Sequence, residues 1–305
     1  IRDIVCGGWF SAFITTDGDL YTVGRFGLDY KSVVEPVLRH GPSLLLSHSD
    51  DEKSGEWGGR VETFGAGNEH LIFQCEMNAH GRQVYGLGNN SYGQLGTADT
   101  NPREKSGRCF ISDNFSSYTP GDDTINGTEA SALPQCFNNK HRLLKIGGGE
   151  RFSAVLTSDH QVYLAGMVGE AQSATHFRKV DFRFIAPSVQ ITDFACSWSG
   201  ILFVDSMKRI FNKEFPGIKH KTNKQLFVDA SPLRKPILSG GANGFFVIDA
   251  RTGRSFTYNN KNSMFLIEEL EASEDCKRVL DHPDYEVVSC SAGYFTNMTL
   301  LRLNK

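Results

Sequence analysis

The sequence lacks most of the features that announce a chemistry. No run approaches the roughly 18 consecutive apolar residues of a membrane-spanning helix. The seven cysteines, at 6, 75, 109, 136, 196, 276 and 290, never stand as C-x-x-C, which excludes the usual zinc-ribbon and thioredoxin-like arrangements. Scattered and odd in number, they read as buried free thiols of a reducing compartment. An intracellular, cytoplasmic protein is therefore expected. A mitochondrial or nuclear address is the alternative if a targeting segment was trimmed ahead of Ile1. Charge of one sign is also scarce: the formal net charge is -3, with no basic tail. That argues against a protein whose main task is to coat nucleic acid.

Catalytic and cofactor signatures are missing too. None of the nine histidines forms H-E-x-x-H or sits at zinc-finger spacing from a cysteine. There is no G-x-S-x-G and no Walker loop. Gly86-Leu87-Gly88 opens like a dinucleotide fingerprint, but Ser91 holds the third glycine's place and no helical pattern follows. Gly121-Asp122-Asp123 lacks the further acids of a calcium loop. No enzyme, cofactor or metal site is expected. Asn-x-Ser/Thr triplets at Asn89, Asn114, Asn126 and Asn297 are of a kind common by chance.

What is present is glycine, 31 of 305, and phenylalanine, 22, in a chain that is 39% hydrophobic. Such a chain can bury a core, and many short strands joined by turns fit it. Six segments repeat one pattern: a small pair, a few variable residues, then an apolar run. They are Gly7-Gly8 with Ala12-Phe13-Ile14, Ala66-Gly67 with Leu71-Ile72-Phe73, and Gly148-Gly149 with Ala154-Val155-Leu156. Cys196-Ser197 with Ile201-Leu202-Phe203-Val204, Gly240-Gly241 with Phe245-Phe246-Val247-Ile248, and Ala292-Gly293 with Met298-Thr299-Leu300 complete the set. With the second small residue as anchor (8, 67, 149, 197, 241, 293), the spacings are 59, 82, 48, 44 and 52, the range of propeller blades with one long exception. The first five runs are followed by polar turns such as Thr16-Asp17-Gly18 and Ser158-Asp159-His160, then by returning strands. Three of those end in Gly24, Gly88 and Gly166, a residue suited to close backbone approach.

Residues 83–96 read Gln-Val-Tyr-Gly-Leu-Gly-Asn-Asn-Ser-Tyr-Gly-Gln-Leu-Gly, downstream of Ala66-Gly67-Asn68-Glu69-His70. This resembles the repeat of the regulator of chromosome condensation (RCC1) family. Matches at 7–24 and 147–166 are good, and those at 196–211, 240–258 and 292–300 are eroded. The resemblance and the spacing together imply an all-β fold, a β-propeller of four-stranded blades, as one domain over 1–305. Six repeats are recognisable, with seven blades as the alternative count. The six anchor-plus-apolar segments are expected as inner strands ringing one axis. The long spacing is expected to hold a polar surface insertion at about 100–135.

For function, the resemblance implies two readings. The first is a non-catalytic scaffold that docks protein partners, as a subunit of a larger assembly. The alternative is a guanine-nucleotide exchange factor for a small GTPase, a contact that family members make through acidic and histidine residues on one face. Here the histidine position is aligned with Ser11, His70, Phe152, Gly200, Gly244 and Thr296, so only His70 matches. Trp9 and Trp198, just after anchors, are candidate contact residues. Lys219, Lys221 and Lys224, in a cationic stretch over 207–235, are candidates for an acidic partner or an RNA within an assembly.

Overall fold

The computed structural model describes residues 1–24, 43–46, 59–77, 81–112, 135–137, 140–167, 173–180, 182, 190–198, 200–212, 227–228, 236–241, 244–249, 255–261, 264–269, 285–292 and 297–303. All regular structure among them is β. No helix is long and apolar enough to cross a membrane among the described residues. Contacts divide the chain into two compact units, Ile1–Ile185 and Ala186–Lys305.

The first unit holds three antiparallel meanders. One is β1 (Asp3–Cys6), β2 (Phe10–Ile14), β3 (Leu20–Gly24) and β4 (Ser43–Leu46). The next is β5 (Gly59–Ala66), β6 (His70–Met77), β7 (Gly81–Gly88) and β8 (Arg103–Arg108). The third, β11 (Leu143–Gly148), β12 (Phe152–Thr157), β13 (Val162–Gly166) and β14 (Ala174–Lys179), is extended past β14 by β9 (Phe110–Ser112) and β10 (Gln135–Cys136). In the second unit, β15 (Ile191–Cys196), β16 (Ile201–Asp205), β17 (Ile210–Asn212) and β18 (Phe227–Val228) form one sheet. A second is β19 (Pro236–Gly241), β20 (Gly244–Asp249), β21 (Ser255–Lys261) and β22 (Met264–Glu269), and a two-stranded sheet pairs β23 (Tyr285–Ala292) with β24 (Asn297–Leu303).

The six repeats are thus six sheets, and each described anchor lies where a sheet's first strand turns to its second. The apolar run expected as an inner strand is not the first strand of its sheet. It forms the second strand, while consecutive sheets meet along their first strands: β1 with β5 and β5 with β11, then β15 with β19 and β19 with β23. The second strands are apolar because they are covered on both faces. Every residue of β12 and of β16 is buried. Between the first unit's sheets lie Ile72, Val84, Leu95, Cys109, Ile111, Phe137 and Phe177 in one cluster, and Phe10, Leu20, Val61, Phe73 and Tyr85 in another.

The insertion expected at about 100–135 begins and ends inside the fold. Residues 103–108 are β8, and Ile111 and Gln135 pair across β9 and β10. Cys109, Ile111 and Phe137 are buried core, so the polar composition of the neighbouring residues hides a short apolar staple. The span 113–134 lies outside the described residues.

The hairpin turns opposite the anchors repeat in atomic detail. In Thr15–Asp19, Thr157–Gln161 and Asp205–Arg209, the first residue's side-chain oxygen accepts the last residue's N–H, at 3.1, 3.2 and 2.9 Å. The fourth residue has positive φ in each: Gly18 at 98°, His160 at 63° and Lys208 at 64°. A left-handed conformation costs an L-residue about 1–2 kcal/mol, part of which glycine gives back as backbone entropy. Lys208→Gly is therefore expected to stabilise the protein by about 0.5–1 kcal/mol. Chemical denaturation reads this as a raised midpoint at unchanged slope.

Candidate functional site

The anchor turns are built by steric rule. Gly67 precedes His70 by three residues, and a Cβ on Gly67 would lie 2.0 Å from the His70 ring. Gly7 stands to Phe10 in the same way, at 2.1 Å. The ring at the fourth position therefore lies over the glycine at the first, and any side chain there would collide with it. Pairing fixes the register: Phe10 opposes Gly24, His70 opposes Gly88 and Phe152 opposes Gly166. The alignment of Ser11 with the histidine position is thereby corrected by one residue, to Phe10. The anchor of this repeat was taken as Gly8, and pairing places it at Gly7. At the turn between β15 and β16 the rule is inverted: Ser197 takes the glycine's place and Gly200 the ring's.

The glycines ending the third strands complete each turn. Gly24, Gly88 and Gly166 have φ of 104°, 106° and 89°. A Cβ on them would meet the carbonyl oxygens of Trp9, Glu69 and Arg151 at 2.5, 2.4 and 2.2 Å. Trp9, Glu69 and Arg151 are therefore equivalent residues on three consecutive sheets. The turns are also tied to one another. Gly8 N–H donates to Asn68 C=O at 2.7 Å, and Asn68 N–H donates to Gly149 C=O at 3.0 Å. The result is a rim of fixed backbone, which can present side chains with little ordering cost.

The candidate residues separate sharply on this frame. Trp9 is 69% exposed, a large apolar ring on a fixed turn. Trp198, on an anchor turn of the second unit, is 41% exposed, and its N–H donates to Gly241 C=O at 3.4 Å. His70, a sequence candidate for partner contact, is fully buried. Its Nε2 lies 2.8 Å from Ser153 Oγ, whose own hydrogen is donated to Gln94 C=O at 2.7 Å. Ser153 can then only accept from His70, so Nε2 carries the imidazole proton and Nδ1 is bare, with no partner. Burial holds the His70 pKa down at about 4, the nearby Phe152 backbone opposing it more weakly. His70 is a neutral joint between two sheets, and as a contact residue it is corrected. Lys219, Lys221 and Lys224 lie outside the described residues.

The family-like stretch 83–96 is likewise structural. Asn90 is buried, donates to Thr97 Oγ1 at 3.0 Å and accepts from Leu95 N–H at 2.9 Å. Ala98 N–H then donates to Thr175 C=O on β14, fastening this loop to the next sheet. The Asn89 amide is spent on Glu69 Oε2 at 2.9 Å, so this triplet is engaged within the fold.

Sequence reasoning missed two rim residues, Glu69 and Arg151. Glu69 accepts from Asn89. The Arg151 guanidinium lies 4.7 Å from the centre of the Tyr92 ring and 3.6 Å from Glu150. Their signal was positional: each sits two residues after the anchor, which the one-residue offset at Gly7-Gly8 obscured. No group of three or more metal-ligating side chains occurs among the described residues.

Comparison with known proteins agrees with this architecture. Residues 1–27 match the model of the Regulator of chromosome condensation (RCC1) repeat. The matched repeat is the one that carries Trp9. No curated protein matches the chain. Among solved structures, human WBSCR16 is similar with a TM-score of 0.61 at 16% identity, over 98% of this chain and 73% of that one. Prp20p from Saccharomyces cerevisiae, described with its binding to Gsp1p and histones, gives 0.60 at 13% identity, over 96% and 66%. The structure of Kap60 bound to yeast RCC1 (Prp20) gives 0.60 at 12% identity, over 95% and 64%. The chain thus spans about two thirds of the length of these yeast structures. Its fold is that of the RCC1-like β-propellers. It carries their repeat in a divergent form, as the low identities record.

Proposed function

We propose that this chain is a non-catalytic interaction propeller that docks a protein partner, as a subunit of a larger assembly. The observation that carries this is the exposed Trp9 indole on an anchor turn whose backbone is held by Gly8–Asn68 and by the approach of Gly24. An exposed Trp on a rigid frame is the residue type most enriched at binding hot spots. An intracellular, reducing compartment, cytoplasmic in the first instance, is proposed with it. Cys6, Cys75, Cys109 and Cys136 form no disulfide, and burial pushes the Cys75 and Cys109 thiols up, as inert core residues.

The second reading is nucleotide exchange on a small GTPase, favoured by the likeness to Prp20p, whose structure was described with Gsp1p binding. The burial of His70 weighs against it, since that residue cannot reach a partner without unfolding the joint. Affinity capture from lysate, run in parallel in EDTA and in excess magnesium with GTP, tests both. Equal retention of a stoichiometric partner is expected. A small GTPase retained in EDTA and released by GTP would favour exchange.

A further inference from the structure

We infer that the rim of the first unit takes a cationic side chain of its partner, a lysine or arginine, between Trp9 and Glu69. This rests on the proposal that the anchor rim is the docking face, and it names the chemistry that face selects.

Trp9, Glu69 and Arg151 occupy the same turn position on three consecutive sheets, each carbonyl seated over a positive-φ glycine. Trp9 follows Gly8 and Glu69 follows Asn68, and those two neighbours share the 2.7 Å hydrogen bond. Covalent geometry then keeps the Cα atoms of Trp9 and Glu69 within about 11 Å, so one ligand group can reach both side chains.

The charges along this row are unequal. Arg151 is engaged twice, on the Tyr92 ring at 4.7 Å and with Glu150 at 3.6 Å. Those two opposite charges offset one another. Glu69 has a neutral partner, the Asn89 amide, which fixes Oε2 without cancelling the charge. The row therefore carries an orientated carboxylate on the turn next to that of a 69% exposed indole. An indole face attracts a cation and repels an anion. A carboxylate adds an acceptor of the same preference. An apolar ligand would satisfy only the indole, and an acidic one would oppose both.

The test uses fluorescein-labelled twelve-residue peptides of three designed compositions: Lys/Arg-containing, neutral, and Asp/Glu-containing. Their binding to the full chain is read by fluorescence anisotropy. Cationic peptides are expected to bind at least tenfold more tightly than neutral ones, and acidic peptides more weakly still. Glu69→Gln and Trp9→Ala are each expected to weaken cationic-peptide binding about fivefold, while Trp9→Phe retains most of it. Raised salt should erode the wild-type preference but not the residual binding of Glu69→Gln. Equal binding of the three compositions, or cationic binding indifferent to both Glu69→Gln and Trp9→Ala, would overturn the inference. The two proposals fail separately. A captured partner whose retention ignores these variants sinks this inference and leaves the docking function standing. Glu69-dependent peptide binding with no captured partner does the reverse.

Discussion

Gly67→Ala is expected to cost roughly 3 kcal/mol or more, far beyond an ordinary surface glycine replacement. The new methyl would sit 2.0 Å from the ring of His70, which is fully buried and has nowhere to turn. The same ring lies close to Gly148, so moving it shifts the collision to the next sheet. The molecule contains its own control. At the turn between β15 and β16 the equivalent positions are Ser197 and Gly200, and a Cβ on Gly200 would find its nearest contact at 3.7 Å. Small residue and ring have exchanged places. The double variant Gly67→Ser with His70→Gly copies that arrangement. It should be no less stable than His70→Gly alone, although Gly67→Ser by itself is severely destabilising. Denaturant unfolding of the four proteins gives the coupling directly. Additive losses would show that the glycine is required for some reason other than the ring above it.

The second large effect is a loss of stability in mild acid. His70 titrates at about 4 in the folded protein, because burial penalises the charged imidazolium, against 6.5 when exposed. Between these values the unfolded chain binds a proton that the folded chain refuses, so stability falls as pH falls. The contribution is intact above pH 6.5, declines from there to about pH 4, and totals about 3 kcal/mol. His70→Phe removes this titration and places at position 70 the residue found at the equivalent Phe10 and Phe152. Unfolding free energy measured from pH 7.5 to 4 should therefore slope less in His70→Phe than in the wild type. Parallel slopes would mean that His70 is not the buried neutral joint described.

Much of the fold was legible because repetition is visible in sequence. Small pairs and apolar runs mark all six sheets, and Gly24, Gly88 and Gly166 were correctly read as places of close backbone approach. Which strand comes first was not legible. A strand such as β5, with polar and apolar residues mixed along Gly59–Ala66, carries little apolar signal, yet it makes the contacts between sheets. Nor was the bulge in several first strands, at Glu62, Leu144 and Thr192, where one residue has no opposite number. A bulge is set by pairing rather than by composition.

The site was legible only in part, and for a physical reason. Trp9 was a candidate because Trp is favoured at binding hot spots and stands just after an anchor; its exposure is what the structure adds. His70 was misjudged because a histidine reads as polar until its cavity is seen: only the glycines beneath and beside it reveal that the ring is packed inward. Glu69 and Arg151 are ordinary charged residues in sequence. Their equivalence to Trp9 appears only when Gly24, Gly88 and Gly166 fix the register.

Hydrogen exchange of the full chain, alone and with its captured partner, tests the central claim most directly. Docking on the anchor rim predicts slowed exchange at the turns around 7–9, 67–69 and 149–151. The opposite hairpin turns at 15–19 and 157–161 should be unchanged. Protection confined to those hairpin turns, with the anchor turns unaffected, would contradict the account.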